Sequence, residues 1–268
     1  MLAIIKINNM LDIERNYMLR KFSVIIVVLF AVIFDAAKVA KAETIVIAAE
    51  NDWIPYAKEN GTGLANEIIV AAFASLGIVV EYDIFPYARV LQNIERGKHI
   101  AGFNVPLDEQ SNRKYILGEE KLFDAVSAYY QNISRPIQVR SREELSGGVI
   151  VGVVRDYGYG DHYLGLVEKR LITEYVSNSE VQNLKRLALG RIDSTIIYNK
   201  TANILLKQLN LKSKIEFAFI NESTPIFLAF SRAHPKGQYY SDKFDLGMKN
   251  IRRSGVYQKI MDSYWVSR

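Results

Sequence analysis

Residues 44–77 read TIVIAAENDWIPYAKENGTGLANEIIVAAFASLG. The stretch Thr44–Ala49 is apolar and rich in β-branched residues over the length of a strand, and a turn signal follows at Asn60–Gly63. Leu64–Leu76 then carries apolar residues near helical spacing, and Gly77 is typical of a residue that ends a helix. We therefore predict a strand, a loop and a helix, in this order.

The same alternation continues along the rest of the chain. Further strands are predicted at Val79–Phe85, Ile100–Val105, Val149–Val154, Thr173–Val176, Ser194–Tyr198, Ile215–Ile220 and Ile226–Ser231. Further helices are predicted at Ala88–Arg96, Ser141–Leu145, Tyr163–Leu171, Ser179–Leu189, Thr201–Leu209 and Tyr240–Tyr264. The order β-α-β-α-β, which then repeats, is typical of parallel sheets covered by helices.

Two segments, Ala128–Pro136 and Phe219–Pro225, are candidates for chain crossings between these two α/β units. We predict an α/β fold with two lobes joined by two hinge strands. Residues 43–131 and 225–268 form lobe 1, and residues 132–224 form lobe 2. Such lobes close over a ligand, and loops at the carboxyl ends of parallel strands face the cleft between them.

The first 42 residues differ in composition from the rest of the chain. Leu19-Arg20-Lys21 is a basic stretch with two cationic side chains, Phe22–Phe34 is apolar apart from one serine, and the segment ends in Ala40-Lys41-Ala42. This order predicts a secretory signal peptide cleaved between Ala42 and Glu43, and so a periplasmic location. An N-terminal membrane anchor is the alternative, although the apolar run is shorter than the roughly 20 residues of a spanning helix.

Charge and cysteine content exclude several classes of protein. The 268 residues include no cysteine, which excludes disulfides, cysteine–metal sites, a thiol nucleophile and a cysteine-anchored lipoprotein. The net charge of +5 falls to +2 without the leader, which holds six basic and three acidic residues. No strong basic stripe remains, so we expect no nucleic-acid partner. The true start is Met1 or Met18.

Seven segments in order along the chain carry a family pattern. They are Asp52–Tyr56, Gly63–Ile68, Phe85–Leu91, Asn112–Lys114, Val151–Gly160, Asn183–Asp193 and Gly255–Trp265. Together they resemble the bacterial extracellular solute-binding proteins of the polar amino acid type (family 3). The resemblance implies a periplasmic binding protein-like type II fold, the Venus flytrap, and a role in amino acid transport with an ABC permease as partner.

Aromatic residues near strand ends are the first ligand-binding candidates. Trp53 and Tyr56 follow the first strand, where flat rings can cover a small ligand or stack on a cation; packing in the core or hinge is the alternative. Tyr157 and Tyr159 lie in a glycine-containing turn whose N–H groups can bind an anion. No complete phosphate-binding motif follows this turn, so a nucleotide loop is not predicted.

Arginines supply the candidates for an anionic ligand. Arg89, with Tyr87, lies just past the second strand, where a guanidinium can clamp a carboxylate or form a surface ion pair. Arg113 matches the arginine that grips the α-carboxylate in amino acid-binding members of the family, although the residues before it depart from the usual spacing. A surface arginine is the alternative. Asn104, at the end of a strand, adds a polar contact or forms a turn.

Tyr198 marks a departure from the family. Amino acid binders often carry an acid near this strand end, where it pairs with the α-ammonium, but Tyr198 and Asn199 provide none. Asp193 lies earlier and reads as a structural residue. The departure favours an organic acid, a modified amino acid or another small polar solute over a standard amino acid.

No catalytic or metal-binding constellation is evident. His99, His162 and His234 are isolated from one another, and no nucleophile-elbow motif occurs. We therefore predict a monomeric solute-binding protein with no cofactor, no metal and no enzymatic activity. The alternatives are a periplasmic lyase or dehydratase on the same fold, and a sensor module that presents its ligand to a membrane receptor.

Overall fold

The computed structural model of the chain describes residues 43–265. The predicted signal peptide, its cleavage site and the choice of start codon lie outside the described residues. Within the described part, none of the helices combines the length and the apolar character that a bilayer crossing needs.

The described residues form a mixed α/β structure. The strands are β1 (Glu43–Glu50), β2 (Asp52–Trp53), β3 (Ala57–Lys58), β4 (Ile78–Phe85), β5 (Ala101–Pro106), β6 (Tyr115–Leu117), β7 (Phe123–Asn132), β8 (Val149–Val154), β9 (Ile172–Ser177), β10 (Ser194–Tyr198) and β11 (Ile215–Ser231). The helices are α1 (Leu64–Ala74), α2 (Tyr87–Glu95), α3 (Glu109–Lys114), α4 (Gly160–Glu168), α5 (Glu180–Ala188), α6 (Asn199–Gln208), α7 (Gly237–Arg253) and α8 (Val256–Trp265), with a 3₁₀ turn at Arg142–Glu144.

Within residues 43–265, nine strands form one curled sheet in the order β4-β1-β5-β11-β7-β10-β8-β9, with β6 added against β11. Strands β1 and β4 pair in parallel along their whole length, as do β8 and β9. Strands β7 and β11 run antiparallel to each other and to their outer neighbours. The sheet therefore contains two parallel halves joined by an antiparallel pair, which is the two-lobe arrangement predicted from the sequence.

Strands β7 and β11 are the connections between the two lobes. Strand β11 pairs with β7 over residues 215–226, and its last part pairs with β5 of the first lobe. Residues 127–131 of β7 pair with β10 of the second lobe. The sequence predicted two separate strands, Ile215–Ile220 and Ile226–Ser231. The structure corrects this to one strand, because pairing with β7 continues through the polar residues between them.

Each lobe has its own hydrophobic core. In the first lobe, helices α1 and α7 pack beside the sheet around fully buried aromatic side chains, which are Phe73, Phe103, Phe230 and Phe244. In the second lobe, helices α5 and α6 bury Leu184, Leu187, Ala202 and Leu206 on one side of the sheet. Strands β8 and β10 bury Val151, Val153 and Ile196 on the other. These two cores hold the strand ends that form the candidate site.

Other elements differ from the sequence prediction in specific places. The predicted helix Tyr240–Tyr264 is two helices, because Gly255 takes a left-handed conformation with φ +78°. Helix α3 was not predicted; it begins after Asp108, whose carboxylate accepts the Ser111 N–H at 2.7 Å. Strand β7 begins five residues before the predicted crossing segment Ala128–Pro136 and ends four residues before that segment does. The remaining predicted elements are confirmed, with shifts of a few residues at their ends.

Candidate functional site

Glu50, the last residue of β1, places a carboxylate inside the protein at the carboxyl end of the sheet. Only 2% of its surface is exposed, because β1 lies between β4 and β5. Its Oε1 accepts a hydrogen bond from the Tyr157 hydroxyl at 2.5 Å, and its Oε2 accepts one from Asn104 Nδ2 at 3.0 Å. Burial raises the pKa of Glu50 to about 7, although both hydrogen bonds act in the opposite direction.

Two residues beside Glu50 have left-handed backbone conformations. Asn104 in β5 has φ +68°, and Asp156 after β8 has φ +62°. Asparagine and aspartate adopt this region more readily than other residues with a Cβ atom. At these bends Asn104 reaches Glu50, and Tyr157, next to Asp156, reaches Glu50 from the second lobe. The local backbone strain therefore coincides with the contact between lobes.

Four aromatic rings surround the Glu50 carboxylate. The ring centroid of Trp53 lies 4.6 Å from that of Tyr198 and 6.2 Å from that of Tyr157. Tyr87 meets Tyr157 edge-on at 5.3 Å. The hydroxyl groups of Tyr87 and Tyr198 donate to backbone carbonyl groups at 3.2 Å and 3.0 Å. Because their hydroxyls are fixed in this way, the tyrosines form an ordered aromatic wall.

The wall surrounds a cavity of about 10 Å³, which is room for about one water molecule. The residues that line this cavity are Glu50, Trp53, Tyr87, Asn104, Pro106, Tyr157, Gly158 and Tyr198. A wider cleft of about 190 Å³ adjoins it and shares Tyr87, Pro106, Tyr157 and Gly158. The lobes approach closely here, since a Cβ atom on Gly158 would lie 2.5 Å from Pro106 Cγ. The structure therefore shows the lobes in contact around a small cavity.

Two further acidic residues lie near Glu50. Glu180, the first residue of α5, is 6% exposed, and its Oε1 has no hydrogen-bond partner within the described residues. Burial raises the pKa of Glu180, and the charges of Glu50 and Asp52 add to this. Asp52 keeps contact with solvent, but partial desolvation followed by the charge of Glu59 raises its pKa.

We call Glu50, Asp52 and Glu180 the cleft carboxylates. Their charges influence one another, but none of them forms an ion pair with a lysine or arginine among residues 43–265. Within the same residues, no three histidine or acidic side chains converge in a way that holds a metal ion. The cleft therefore holds three acids without a paired cation, and two of them, Glu50 and Glu180, are buried.

Five of the predicted ligand-binding residues come together around the cavity, namely Trp53, Tyr87, Asn104, Tyr157 and Tyr198. Tyr159 lines the adjoining wider cleft, and its hydroxyl accepts the backbone N–H of Val154 at 2.9 Å. Tyr56 lies behind the wall, where its ring stacks on Phe123 with centroids 4.7 Å apart. Whether each of these residues contacts a ligand stays a prediction.

The two predicted arginines lie elsewhere. Arg113 is on α3, where Nη1 is 2.7 Å from Glu109 Oε1 and 65% of the side chain is exposed. Arg89 is exposed on α2. Neither residue lines the cavity or the wider cleft. The inward residue of α3 is Ser111, which is 6% exposed and hydrogen-bonded to Pro106 O at 2.8 Å.

Sequence reasoning missed Glu50 and Glu180, as well as the close approach of Pro106 to Gly158. Glu50 had a signal, since it ends an apolar strand in the segment that precedes Trp53. Glu180 had none, because an acid in the first turn of a helix is usually an exposed residue that favours the helix dipole. Its burial results from the neighbouring strand and lobe, which the sequence does not reveal.

Comparisons with known proteins show the fold of the chain. No family model and no curated protein sequence matches it. Among solved structures, a histidine kinase sensor domain with similarity to periplasmic binding proteins aligns with a TM-score of 0.72 at 17% identity, covering 83% of this chain and 96% of that one. An ancestral arginine-binding protein bound to arginine aligns with a TM-score of 0.72 at 19% identity, covering 83% and 98%.

A third solved structure is an ancestral amino acid-binding protein, a precursor of cyclohexadienyl dehydratase. It aligns with a TM-score of 0.68 at 15% identity and covers 85% of this chain and 98% of that one. These likenesses span nearly the whole length of each neighbour. The chain therefore has the periplasmic binding protein-like type II fold, with two α/β lobes joined by two strands.

Proposed function

We propose that the chain is a periplasmic solute-binding protein, a member of family 3, that captures a small polar ligand between its lobes and delivers it to an ABC permease. The cavity carries this proposal, because its wall combines Glu50 and Asn104 of the first lobe with Tyr157 and Gly158 of the second. A ligand that contacts both lobes favours the closed arrangement over the open one. The protein acts as a monomer, without a cofactor.

Several hydrogen bonds join the two lobes in the closed state. The Tyr157 hydroxyl contacts Glu50 Oε1 and, at 3.1 Å, the carbonyl oxygen of Asp52. On another side of the cleft, Thr201 Oγ1 donates to Ile54 O at 2.6 Å. We propose that these bonds break on opening and that β7 and β11 act as the hinge. The lobe boundaries given from the sequence stay a prediction.

Ligand-dependent thermal stabilisation tests the binding function. The protein, expressed from the full chain, is melted with a panel of small polar metabolites, and at least one is expected to raise the melting temperature, since a ligand stabilises the state it binds. Gly158→Ala is expected to weaken that ligand about tenfold, because the added Cβ meets Pro106 when the lobes close.

Gly165→Ala on α4 is the matched control, because nothing lies within 4 Å of the added Cβ there. Its ligand affinity is expected to equal that of the unmodified protein. A panel without any stabilising compound contradicts the binding function. Equal affinities in the two glycine variants contradict closure at Gly158.

A lyase or dehydratase on the same fold is the second candidate function, and Glu50 favours it. A carboxyl group with a pKa of about 7 in an enclosed cavity suits a general acid or base at neutral pH. Incubation with a panel of hydroxy acids, followed by NMR, separates the two functions. Turnover that Glu50→Gln abolishes assigns an enzyme, whereas release of unchanged ligand supports binding.

A sensor module is a variant of the binding role, in which the closed protein contacts a membrane receptor instead of a permease. The fold it shares with a histidine kinase sensor domain is compatible with this variant. Deletion of the gene distinguishes them: loss of ligand uptake supports transport, and loss of a transcriptional response with uptake intact supports sensing.

A further inference from the structure

The cavity and its surroundings hold acidic side chains and no paired cation. Glu50 lines the cavity, and Glu180 and Asp52 are close enough for charge to affect the ionisation of the three groups. Within the described part of the chain, no lysine or arginine lines the cavity. Lys114 lines the wider cleft, where its Nζ lies 3.6 Å from Glu95. A buried acid without a cation is costly, so this wall favours a positively charged occupant.

We propose that the ligand is a small organic amine cation without a carboxylate group, with its ammonium group held against Glu50 inside the aromatic wall. This inference rests on the proposed solute-binding function and names the ligand class for that same cavity. It departs from the sequence-based expectation of an organic acid or an amino acid-like ligand.

Unpartnered acceptors in the site point to a ligand with N–H donors. Asn104 is 3% exposed and lines the cavity, yet its Oδ1 has no hydrogen-bond partner within residues 43–265. Oε1 of Glu180 also has no hydrogen-bond partner within the described residues. An ammonium group supplies three donors and no acceptor. On binding, one of these donors replaces the Tyr157 hydroxyl on Glu50 Oε1, and another reaches Asn104 Oδ1.

The aromatic residues provide a second, independent match to a cation. The rings of Trp53, Tyr87, Tyr157 and Tyr198 surround the cavity on several sides. The faces of such rings attract a desolvated cation, with tryptophan the strongest of them. Apolar carbon atoms of an amine also gain from contact with the same rings. One wall therefore serves both the charge and the hydrocarbon part of the ligand.

This cavity offers few groups that could stabilise a bound anion. The indole Nε1 of Trp53 is an unpartnered donor there, but it is neutral and shares the cavity with Glu50. The arginines that the sequence offered as carboxylate clamps, Arg89 and Arg113, do not line the cavity. A carboxylate placed beside Glu50 would remain unpaired, which disfavours ligands that put a carboxylate inside this cavity.

Pairs of compounds that differ by one carboxylate test this inference. Affinities are measured by calorimetry for agmatine against arginine, cadaverine against lysine, and histamine against histidine, with choline and succinate as further probes. At least one amine is expected to bind ten or more times more tightly than its parent amino acid. Choline, which has no N–H donor on its ammonium, is expected to bind more weakly than that amine.

Two variants locate the binding. Glu50→Gln is expected to weaken the amine at least tenfold, and the melting curve of the free variant checks that it folds. Arg113→Ala, at the surface, is the control and is expected to leave the affinity unchanged. Tighter binding of an amino acid or succinate than of every amine overturns the inference while the solute-binding function stands. An unchanged affinity in Glu50→Gln also overturns it, and absence of binding by every probe overturns both.

Discussion

Two acidic regions of the molecule have opposite surroundings. Beside α7, every carboxylate has donors: Asp245 accepts the backbone N–H groups of Glu119 and Glu120, each at 3.0 Å. Glu119 pairs with Lys249 at 2.8 Å, and Glu120 pairs with Arg252 at 3.1 Å. In the cleft, Glu50 accepts hydrogen bonds from the neutral groups of Tyr157 and Asn104, and no cation of the described residues pairs with any of the cleft carboxylates.

This difference separates acidic side chains that stabilise the fold from acidic side chains that we propose to bind a ligand. Near α7, folding itself supplies the charge partners, and the acids join the loop before β7 to the helix. In the cleft, folding buries acids and leaves their charge uncompensated, which lowers stability. Functional sites often keep such unfavourable arrangements because activity requires them. The two regions should therefore respond to mutation with opposite signs.

The largest effect is expected for Glu50→Gln on the stability of the ligand-free protein at alkaline pH. Burial raises the pKa of Glu50 from 4.5 to about 7, so its ionised form disfavours the folded state. This penalty appears as pH rises from about 4.5 to about 7 and is complete above that range. The variant should be more stable at pH 8 by up to about 3 kcal/mol, measured by urea unfolding.

Asn104 allows the glutamine to be accommodated. Its unpartnered Oδ1 accepts the new amide N–H after a flip of the Asn104 side chain, while the Tyr157 hydroxyl still donates to the glutamine oxygen. At pH 4 the two proteins should have nearly equal stability, since Glu50 is then protonated in the folded state and mostly protonated in the unfolded state. A variant that is less stable at pH 8 would show that Glu50 stabilises the fold.

The next largest effect is expected for Asp245→Ala, with the opposite sign. Loss of its carboxylate leaves the backbone N–H groups of Glu119 and Glu120 without their acceptor, which should lower the free energy of unfolding by about 2 kcal/mol. Asp242→Ala on the same helix is the control; it is exposed and contacts Gln238. Equal stability of the two variants would argue against a structural role for Asp245.

A smaller effect is expected for the pH dependence of amine binding. An alkyl amine such as cadaverine stays protonated below pH 9. Because the pKa of Glu50 is about 7, its ionised fraction rises about tenfold between pH 6 and pH 8, and affinity should rise with it. The other titratable groups that interact with Glu50 are Asp52, Glu180, Tyr87, Tyr157 and Tyr159. Ionisation of the two acids also favours the cation.

Titration calorimetry of Glu50→Gln at the same pH values provides the control. Its affinity should be lower and should depend much less on pH. A flat profile in the unmodified protein, or affinity that falls between pH 6 and pH 8, would show that the ionisation of Glu50 does not govern binding.

The contrast between the regions also explains what the sequence predicts well. The alternation of apolar strands and helices, set by local spacing, predicts the two α/β lobes and brings Trp53, Tyr87 and Tyr198 to strand ends that meet. It did not predict that β11 is continuous. The polar residues Asn221–Thr224 suggest a loop, and only their pairing with β7 makes them a strand.

The side-chain direction of Arg113 is a second limit of the sequence. Arg113 and Ser111 lie two positions apart on α3, which is a rotation of about 200° around a helix axis. The helix register directs Ser111 inward and Arg113 to solvent. Burial of Glu180 was equally hidden, because it depends on contacts with elements far away in the sequence.

The smallest effect is expected for Lys249→Ala, which removes the cation from an exposed pair. Lys249 Nζ lies 2.8 Å from Glu119 Oε2, and the pair raises the pKa of Lys249 and lowers that of Glu119 through hydrogen bonding and charge. Exposed ion pairs contribute little to folding stability, because water screens the charges and ordering two side chains costs entropy. The melting temperature should not change measurably at 0.15 M salt. A clear decrease that high salt removes would show that the charge network, and not only Asp245, holds the loop to α7.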